Sequence, residues 1–382
     1  MKFISKLLFT LLSITLLSSC GSESEPEPVI TPEKAKRTVL VYMVARNSLG
    51  TGGYDASDLK EMDMAAAAVN AAGGRLLVYH AKDNESPKLM EIKPEGNEIL
   101  KVYDDSDYSV SAARMSAVLH DAFEFAPADS KGIILWSHAD GWLNDGIDEG
   151  GASLKGFGYE QGKKMRLTTL AETLKGRGLD FVYFDCCYMG SVEVAYEMRD
   201  VAPVIAASPA EVPADGMPYN KTLPYFFTAG KADLVGAAST TFESYNSLSG
   251  SSRTCTLAVY DTSALKRLAV ATAAVYKVSG GETEEDYEPQ RYMTEATCYY
   301  YDLAHHVHAQ CAPESLKADF DAALADVVMY EQATPRLWDR LDIKYHCGLS
   351  TFIISEEQGP ETKNYNLNQW YRDVTIFTDK TL

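Results

Sequence analysis

Two apolar runs in the chain each stop at a side chain able to do chemistry. Phe181-Val182-Tyr183-Phe184-Asp185 runs into Cys186-Cys187, and Ile133-Ile134-Leu135-Trp136-Ser137 runs into His138. A free thiol has a pKa of roughly 8.5, so it needs a base or a favourable field to attack as a thiolate at neutral pH. An imidazole that removes the thiol proton makes the pair a nucleophilic catalyst. A second source of help is the amino end of the helix expected to begin near Ser191, whose partial positive charge favours an anion. The pleat separates the two cysteines: a strand ending near Cys186 turns that side chain into a packed face, and Cys187 is the first residue beyond it. Cys186 is therefore expected to pack and Cys187 to attack.

The elements that must hold these groups alternate along the chain. Thr38 to Val44 reads as a buried strand, followed by a polar turn at Asn47 and a helix near Asp58 to Ala72. Further strands are expected at Arg75 to His80, Leu89 to Ile92, Gly132 to His138, up to Cys186, and at Val204 to Ala207. Helices are expected at Ala112 to Phe125, Leu167 to Leu174 and Ser191 to Arg199. This rhythm implies an α/β/α sandwich around a mainly parallel sheet, and in such sheets reacting groups gather at the carboxyl ends of the strands. Past residue 240 the rhythm changes, with helices near Ser263 to Tyr276 and Pro313 to Tyr330 and a late strand at Leu349 to Ile354. The division expected is a signal peptide over 1–19, an acidic flexible tether over 20–36, a catalytic α/β domain over 37–240, and a mostly helical C-terminal subdomain over 241–382 packed on the first.

The 382 residues, 46% hydrophobic, suffice for a full core. With 54 acidic against 35 basic residues the formal charge is -19, which argues against nucleic acid, since phosphates must be neutralised by Lys and Arg. The acidity suits basic or neutral substrates, or serves solubility alone. At the amino end, Lys2 and Lys6 precede the apolar stretch Leu7 to Leu17, too short for a stable membrane span. Leu17-Ser18-Ser19-Cys20 resembles a bacterial lipobox, which implies cleavage before Cys20 and lipid on it. Gly21 to Pro28 is an acidic, low-complexity tether. These features imply an outer-membrane lipoprotein facing the periplasm or the cell surface. The remaining cysteines, 186, 187, 255, 298, 311 and 347, form no CxxC pair, so neither a zinc site nor a disulfide framework is indicated.

A hydrophobic strand followed by His138 and, 49 residues on, a second one followed by Asp185-Cys186-Cys187 resembles the clostripain-like cysteine peptidases and, more distantly, caspases and gingipains. Phe184 to Glu197, the Val39 to Leu49 region, Gly141-Trp142 after the histidine and Gly348-Leu349-Ser350 extend the likeness over most of the chain after residue 37. The resemblance implies His138 as general base, Cys187 as nucleophile, and an oxyanion hole from the N–H groups of Ala139 and Cys187. Two positions depart from the family pattern: Cys186 replaces a small alanine, and Ala139 replaces the glycine after the histidine. A Cβ at Ala139 narrows the backbone and could turn its N–H away, which leaves open a catalytically impaired relative that binds basic peptides in the same cleft. A hydrolase of another bond using the same dyad is a third reading.

The resemblance further implies cleavage after Arg or Lys, which needs a carboxylate in the pocket. Asp185 and Asp215 are the candidates, although Asp215 before Gly216 also suits a plain turn. It also implies a zymogen that cuts itself in the glycine-rich Leu143 to Lys164 loop, after Lys155, or less favourably after Lys163 or Lys164. No cofactor is required, though some relatives use calcium. A monomer acting on peptides is expected. His305, His306 and His308 beside Asp302 lack the i, i+4 spacing of a helical metal site, and Tyr299-Tyr300-Tyr301 is expected to pack rather than stack on bases.

Overall fold

The computed structural model describes residues 33–143, 156–354 and 365–378. In chain order its strands are β1 (Ala35–Ala45), β2 (Gly74–Lys82), β3 (Lys88–Ile92), β4 (Glu98–Val102), β5 (Ala128–Trp136), β6 (Phe157–Glu160), β7 (Lys163–Met165), β8 (Phe181–Asp185), β9 (Val204–Ala207), β10 (Thr256–Asp261), β11 (Tyr301–Asp302) and β12 (Val328–Ala333). The helices are α1 (Ser48–Thr51), α2 (Tyr54–Ala71), α3 (Ala112–Phe125), α4 (Leu167–Leu174), α5 (Val192–Glu197), α6 (Tyr219–Phe226), α7 (Leu234–Asn246), α8 (Leu265–Ser279), α9 (Leu303–His308), α10 (Glu314–Val327) and α11 (Gln369–Thr378).

Nine strands form one sheet in the order β12-β10-β9-β8-β5-β1-β2-β3-β4. The five central strands, β9 to β2, are mutually parallel, whereas the pairs at both edges are antiparallel. The sheet is thus mixed, with the parallel part confined to its middle. Because the middle strands are covered on both faces, they read as unbroken apolar runs. In β1 the alternation sends Leu40, Tyr42 and Val44 into one core with α3, α4, α5, α8, α10 and α11. Val39, Val41 and Met43 enter the other with α2, α6 and α7.

The C-terminal part differs from expectation. A boundary at residue 240 would cut α7, and β10 and β12 continue the same sheet, so the described residues from Glu33 onward form one compact unit rather than a domain and a helical subdomain. The expected helix to Tyr330 ends at Val327, where the chain passes into edge strand β12. Two strands also end earlier than their apolar runs. β5 stops at Trp136 because the next residues leave the sheet: Ser137 turns its hydroxyl to the Val44 carbonyl (2.8 Å), and Ala139 pairs with Phe157. β8 stops at Asp185.

The order of strands matters for the site. β1 connects outward to β2 on one side while β5 lies on its other side, so the connections diverge between β1 and β5 and leave a crevice at their carboxyl ends.

Candidate active site

Strands β5 and β8 are neighbours in parallel register, with Trp136 opposite Asp185. His138 and Cys187 each lie two residues past that last pair. The 49-residue separation is therefore the register offset itself, and both side chains line one cleft of about 610 Å³.

On the β8 side, Cys186 is 1% exposed and packs in the core with Ala210 and Val192, while Cys187 is partly exposed. The Cys187 Sγ accepts the Val212 N–H at 3.4 Å and points its proton toward the Val212 carbonyl at 3.8 Å. Burial pushes this thiol up to about 12, only partly offset by Val212, with Glu211 adding to the rise. Burial thus favours the neutral thiol form of Cys187. The expected help from the α5 helix end takes no visible form: Ser191 caps that helix with its own hydroxyl on the Val194 N–H, and the sulfur faces Val212 instead.

On the β5 side, the His138 Nε2 meets the Ser48 hydroxyl at 2.8 Å, and the ring stands edge-on to Tyr159. Burial lowers its pKa, and the Lys164 ammonium lowers it further against the opposing pull of Asp140. Neutral imidazole and neutral thiol suit general-base activation, in which the proton moves only as the sulfur attacks. Among the described residues no hydrogen bond joins His138 to Cys187.

The oxyanion-hole candidates are well disposed. Ala139 bridges Phe157 through bonds made by its neighbours, Gly158 N–H to the His138 carbonyl and Asp140 N–H to the Gly156 carbonyl. This leaves the Ala139 N–H without an acceptor among the described residues, and the Cys187 N–H likewise. Ala139 is absent from the residues with positive φ, so its Cβ meets no backbone restriction. The position that needs glycine is Gly141, at φ +58, where a Cβ would lie 2.6 Å from the Tyr188 carbonyl. Tyr188, next to the nucleophile, itself holds φ +61 and stacks on Tyr300.

The two candidate pocket acids separate. Asp185 is buried on the cleft wall, accepting the Met217 N–H at 3.2 and 3.1 Å and the Tyr219 hydroxyl at 2.9 Å. Burial raises its pKa to about 6 despite those donors. A Cβ on Gly216 would sit 2.9 Å from the Asp185 carboxylate, so only glycine lets the loop close over it. Asp215 is exposed in that loop and lies outside the cleft lining. Lys155 and Cys20 fall outside the described residues. Lys163 and Lys164 lie in β7, one over the Tyr108 ring and the other paired with Asp140, a poor setting for proteolytic nicking.

Residues 41–366 match the profile of the clostripain family, peptidase C11. The chain belongs to the clostripain family. This clostripain-family cysteine peptidase resembles a secreted C11 cysteine protease from Bacteroides thetaiotaomicron solved with an irreversible peptide inhibitor, at 26% identity and a TM-score of 0.77 over 90% of this chain and 99% of that one. It resembles equally an inactive zymogen C11 protease from Parabacteroides distasonis, at 28% identity, TM-score 0.77 and the same shares. A clostripain from Bacteroides thetaiotaomicron, solved with the peptide inhibitor BTN-VLTK-AOMK, matches 57% of this chain and 97% of its own at 27% identity and TM-score 0.51. No curated protein sequence matches the chain.

Several residues of the peptidase's cleft escape a reading of the sequence. Trp136 donates its indole N–H to Asp58 at 2.6 Å, and burial together with the nearby Asp185 raises Asp58 to about 9. Glu211 and Glu295 line the cleft, and burial followed by Glu295 raises Glu211. Glu211 opens the loop already singled out for Asp215, but Asp58 and Ser48 come from the helices that follow β1, the strand beside β5, and carry no local signal. His305 stacks on Tyr345, His305 and His306 both lie against Tyr287, and His308 meets Asp321, so each ring is taken up by packing or an ion pair. Among the described residues no group of three or more His, Cys, Asp or Glu side chains gathers to hold a metal.

Proposed function

We propose that this peptidase is an exported, lipid-anchored endopeptidase that cleaves after Arg or Lys through a His138–Cys187 dyad. One observation carries the reading: the two side chains leave paired strand ends at the same register position and share a cleft whose wall holds the buried Asp185. His138 takes the thiol proton as Sγ attacks the scissile carbonyl, and the Ala139 and Cys187 N–H groups receive the oxyanion. His138 then returns the proton to the leaving amine, and water cleaves the acyl-enzyme by the same route in reverse. The mechanism needs no cofactor, and none of its steps uses calcium.

Asp185, once ionised, is the counter-ion for the substrate's Lys or Arg, with Asp215 a secondary attraction at the loop. The lysine that ends the peptide part of BTN-VLTK-AOMK on the Bacteroides relative supports a basic preference. Self-cleavage after Lys155 is proposed as the activating event; the inactive zymogen relative supports a chain that rests inactive. The anchor is lipid on Cys20 at the outer membrane, tested by incorporation of labelled fatty acid into the native chain but not into Cys20→Ser.

Fluorogenic peptides ending in Arg, Lys, Ala or Asp, with and without thiol reductant, test the activity. Turnover is expected for Arg and Lys alone, with reductant, and with two fragments on a denaturing gel that a Cys187→Ala chain lacks. Turnover unaffected by Cys187→Ala would remove the dyad, and an intact, active chain would remove self-processing.

A further inference from the structure

A cysteine–histidine pair works only if the right ring nitrogen carries the free lone pair, and the ring must be held in place while charge develops on it. The His138 Nε2 is engaged by the Ser48 hydroxyl at 2.8 Å. That leaves Nδ1 as the ring nitrogen available to the thiol. Ser48 is not loosely placed: it opens α1, which Asn47 caps by accepting the Leu49 N–H, while the Asn47 amide donates to the Val44 and Tyr159 carbonyls. Asn47 also donates to the Ser137 hydroxyl at 3.3 Å, so one side chain ties the end of β1 to the end of β5. At Gly50 a Cβ would come within 1.8 Å of the Ala45 carbonyl oxygen, which shows how closely the turn seats on β1.

We propose that Ser48 is the positioning residue of the dyad, accepting the Nε2–H of His138 and thereby fixing Nδ1 as the base. The inference rests on the His138–Cys187 reading. During attack the thiol proton passes to Nδ1, the S–H bond breaks as the S–C bond forms, and the ring becomes a cation. The Nε2–H to Ser48 bond shortens and becomes charge-assisted at that moment. Ser48 keeps its own proton throughout, and Nδ1 delivers the acquired proton to the leaving amine. A hydroxyl here strengthens in the transition state more than in the resting enzyme, the condition for raising kcat. The other groups bearing on the ring are the Tyr159 ring from β6, edge-on to it, the Lys164 ammonium from β7, the Asp140 carboxylate and Cys187 across the cleft.

The test compares full-length native enzyme with Ser48→Ala, Ser48→Thr and His138→Ala, measuring kcat and KM on a lysine peptide from pH 5 to 9 and the ring ¹⁵N signals of His138. Ser48→Ala is expected to lower kcat about tenfold at unchanged KM, the loss of roughly one charge-assisted hydrogen bond. It should also move the acid limb of kcat/KM to lower pH, since the imidazolium loses an acceptor. Ser48→Thr should restore kcat to within about threefold, and the native ring should show its proton on Nε2. A kcat unchanged by Ser48→Ala, an equal loss in Ser48→Thr, an unmoved acid limb or a proton on Nδ1 would each overturn the assignment to Ser48 while the dyad stands. Full turnover by His138→Ala would overturn the dyad and the role of Ser48 together.

Discussion

The exits of β5 and β8 begin as register partners and then diverge in character. After Asp185, Cys186 enters the core, the sulfur of the partly exposed Cys187 is held by the Val212 peptide, and Tyr188 takes a left-handed backbone conformation. After Trp136 the chain is also mostly buried, at Ser137 and Ala139, but His138 is partly exposed and meets a surface serine. Burial favours the neutral thiol at Cys187 and lowers the proton affinity of the His138 ring across the cleft, so the pair favours no ion pair at rest. On the proposed mechanism charge is created only during attack, where the candidate oxyanion donors offset it. The contrast teaches that one exit is built for shielding and the other for adjustment.

The sharpest way to break that contrast is to delete each cysteine of the β8 exit. Cys187→Ala should cut kcat/KM on a lysine peptide by on the order of 10⁴-fold. Cys186→Ala should leave kcat/KM within about threefold and instead lower stability by about 1 kcal/mol, read from chemical denaturation, as a small core cavity does. The reverse pattern would reassign packing and attack.

A second comparison sets the buried acid at the end of β8 against the exposed acid in the loop above it. Asp185→Asn is expected to lower kcat/KM for basic substrates about a hundredfold, the loss of a charged contact in a shielded pocket. Asp215→Asn should cost less than about fivefold, since solvent screens it. Because burial raises Asp185 to about 6, an arriving cation meets a protonated acid below that pH. KM for lysine and arginine peptides should therefore climb as pH falls from 7 to 5. A flat KM across this range would move the counter-ion away from Asp185.

The sequence reveals the β8 exit better than the β5 exit for physical reasons. Buried parallel strands are apolar without interruption, so β1, β5 and β8 stand out, and the periodic faces of α3 and α4 give their bounds to the residue. Edge strands have no such mark: β4 is Glu-Ile-Leu-Lys-Val and largely exposed, and β12 continues directly from α10. The candidate dyad is legible because each member follows its strand within two residues. Ser48 and Asp58 are not, because the sheet order alone brings β1's exit and α2 to the cleft. Likewise burial separates Asp185 from Asp215, and burial is a property of the packed chain.

The β5 exit carries its own buried acid, Asp58, under Trp136. Its folded pKa near 9 lies above an unfolded value of roughly 3.9. Its contribution to stability is thus fully present below about pH 4 and is lost as pH rises toward 9. Asp58→Asn keeps an oxygen for the indole N–H but removes the titration. The stability of the variant relative to the native chain should rise with pH, by at most about 1.4 kcal/mol per unit between pH 5 and 8. Thermal or urea melts across that range measure it, and a pH-independent difference would show that Asp58 is ionised in the folded chain.

The smallest effect tests which residue after the histidine carries the backbone constraint. Gly141→Ala must place a Cβ 2.6 Å from the Tyr188 carbonyl and from the Tyr300 hydroxyl at a φ of +58, and should cost about 1 to 3 kcal/mol in denaturant melts. Ala139→Gly relieves no contact, because the residue already holds an ordinary φ. It should change stability by less than about 1 kcal/mol, through backbone entropy, and kcat/KM by less than about threefold. A tenfold gain on Ala139→Gly would mean that the Cβ turns an oxyanion donor aside, and the open exit of β5, rather than the buried thiol, would then limit the chemistry.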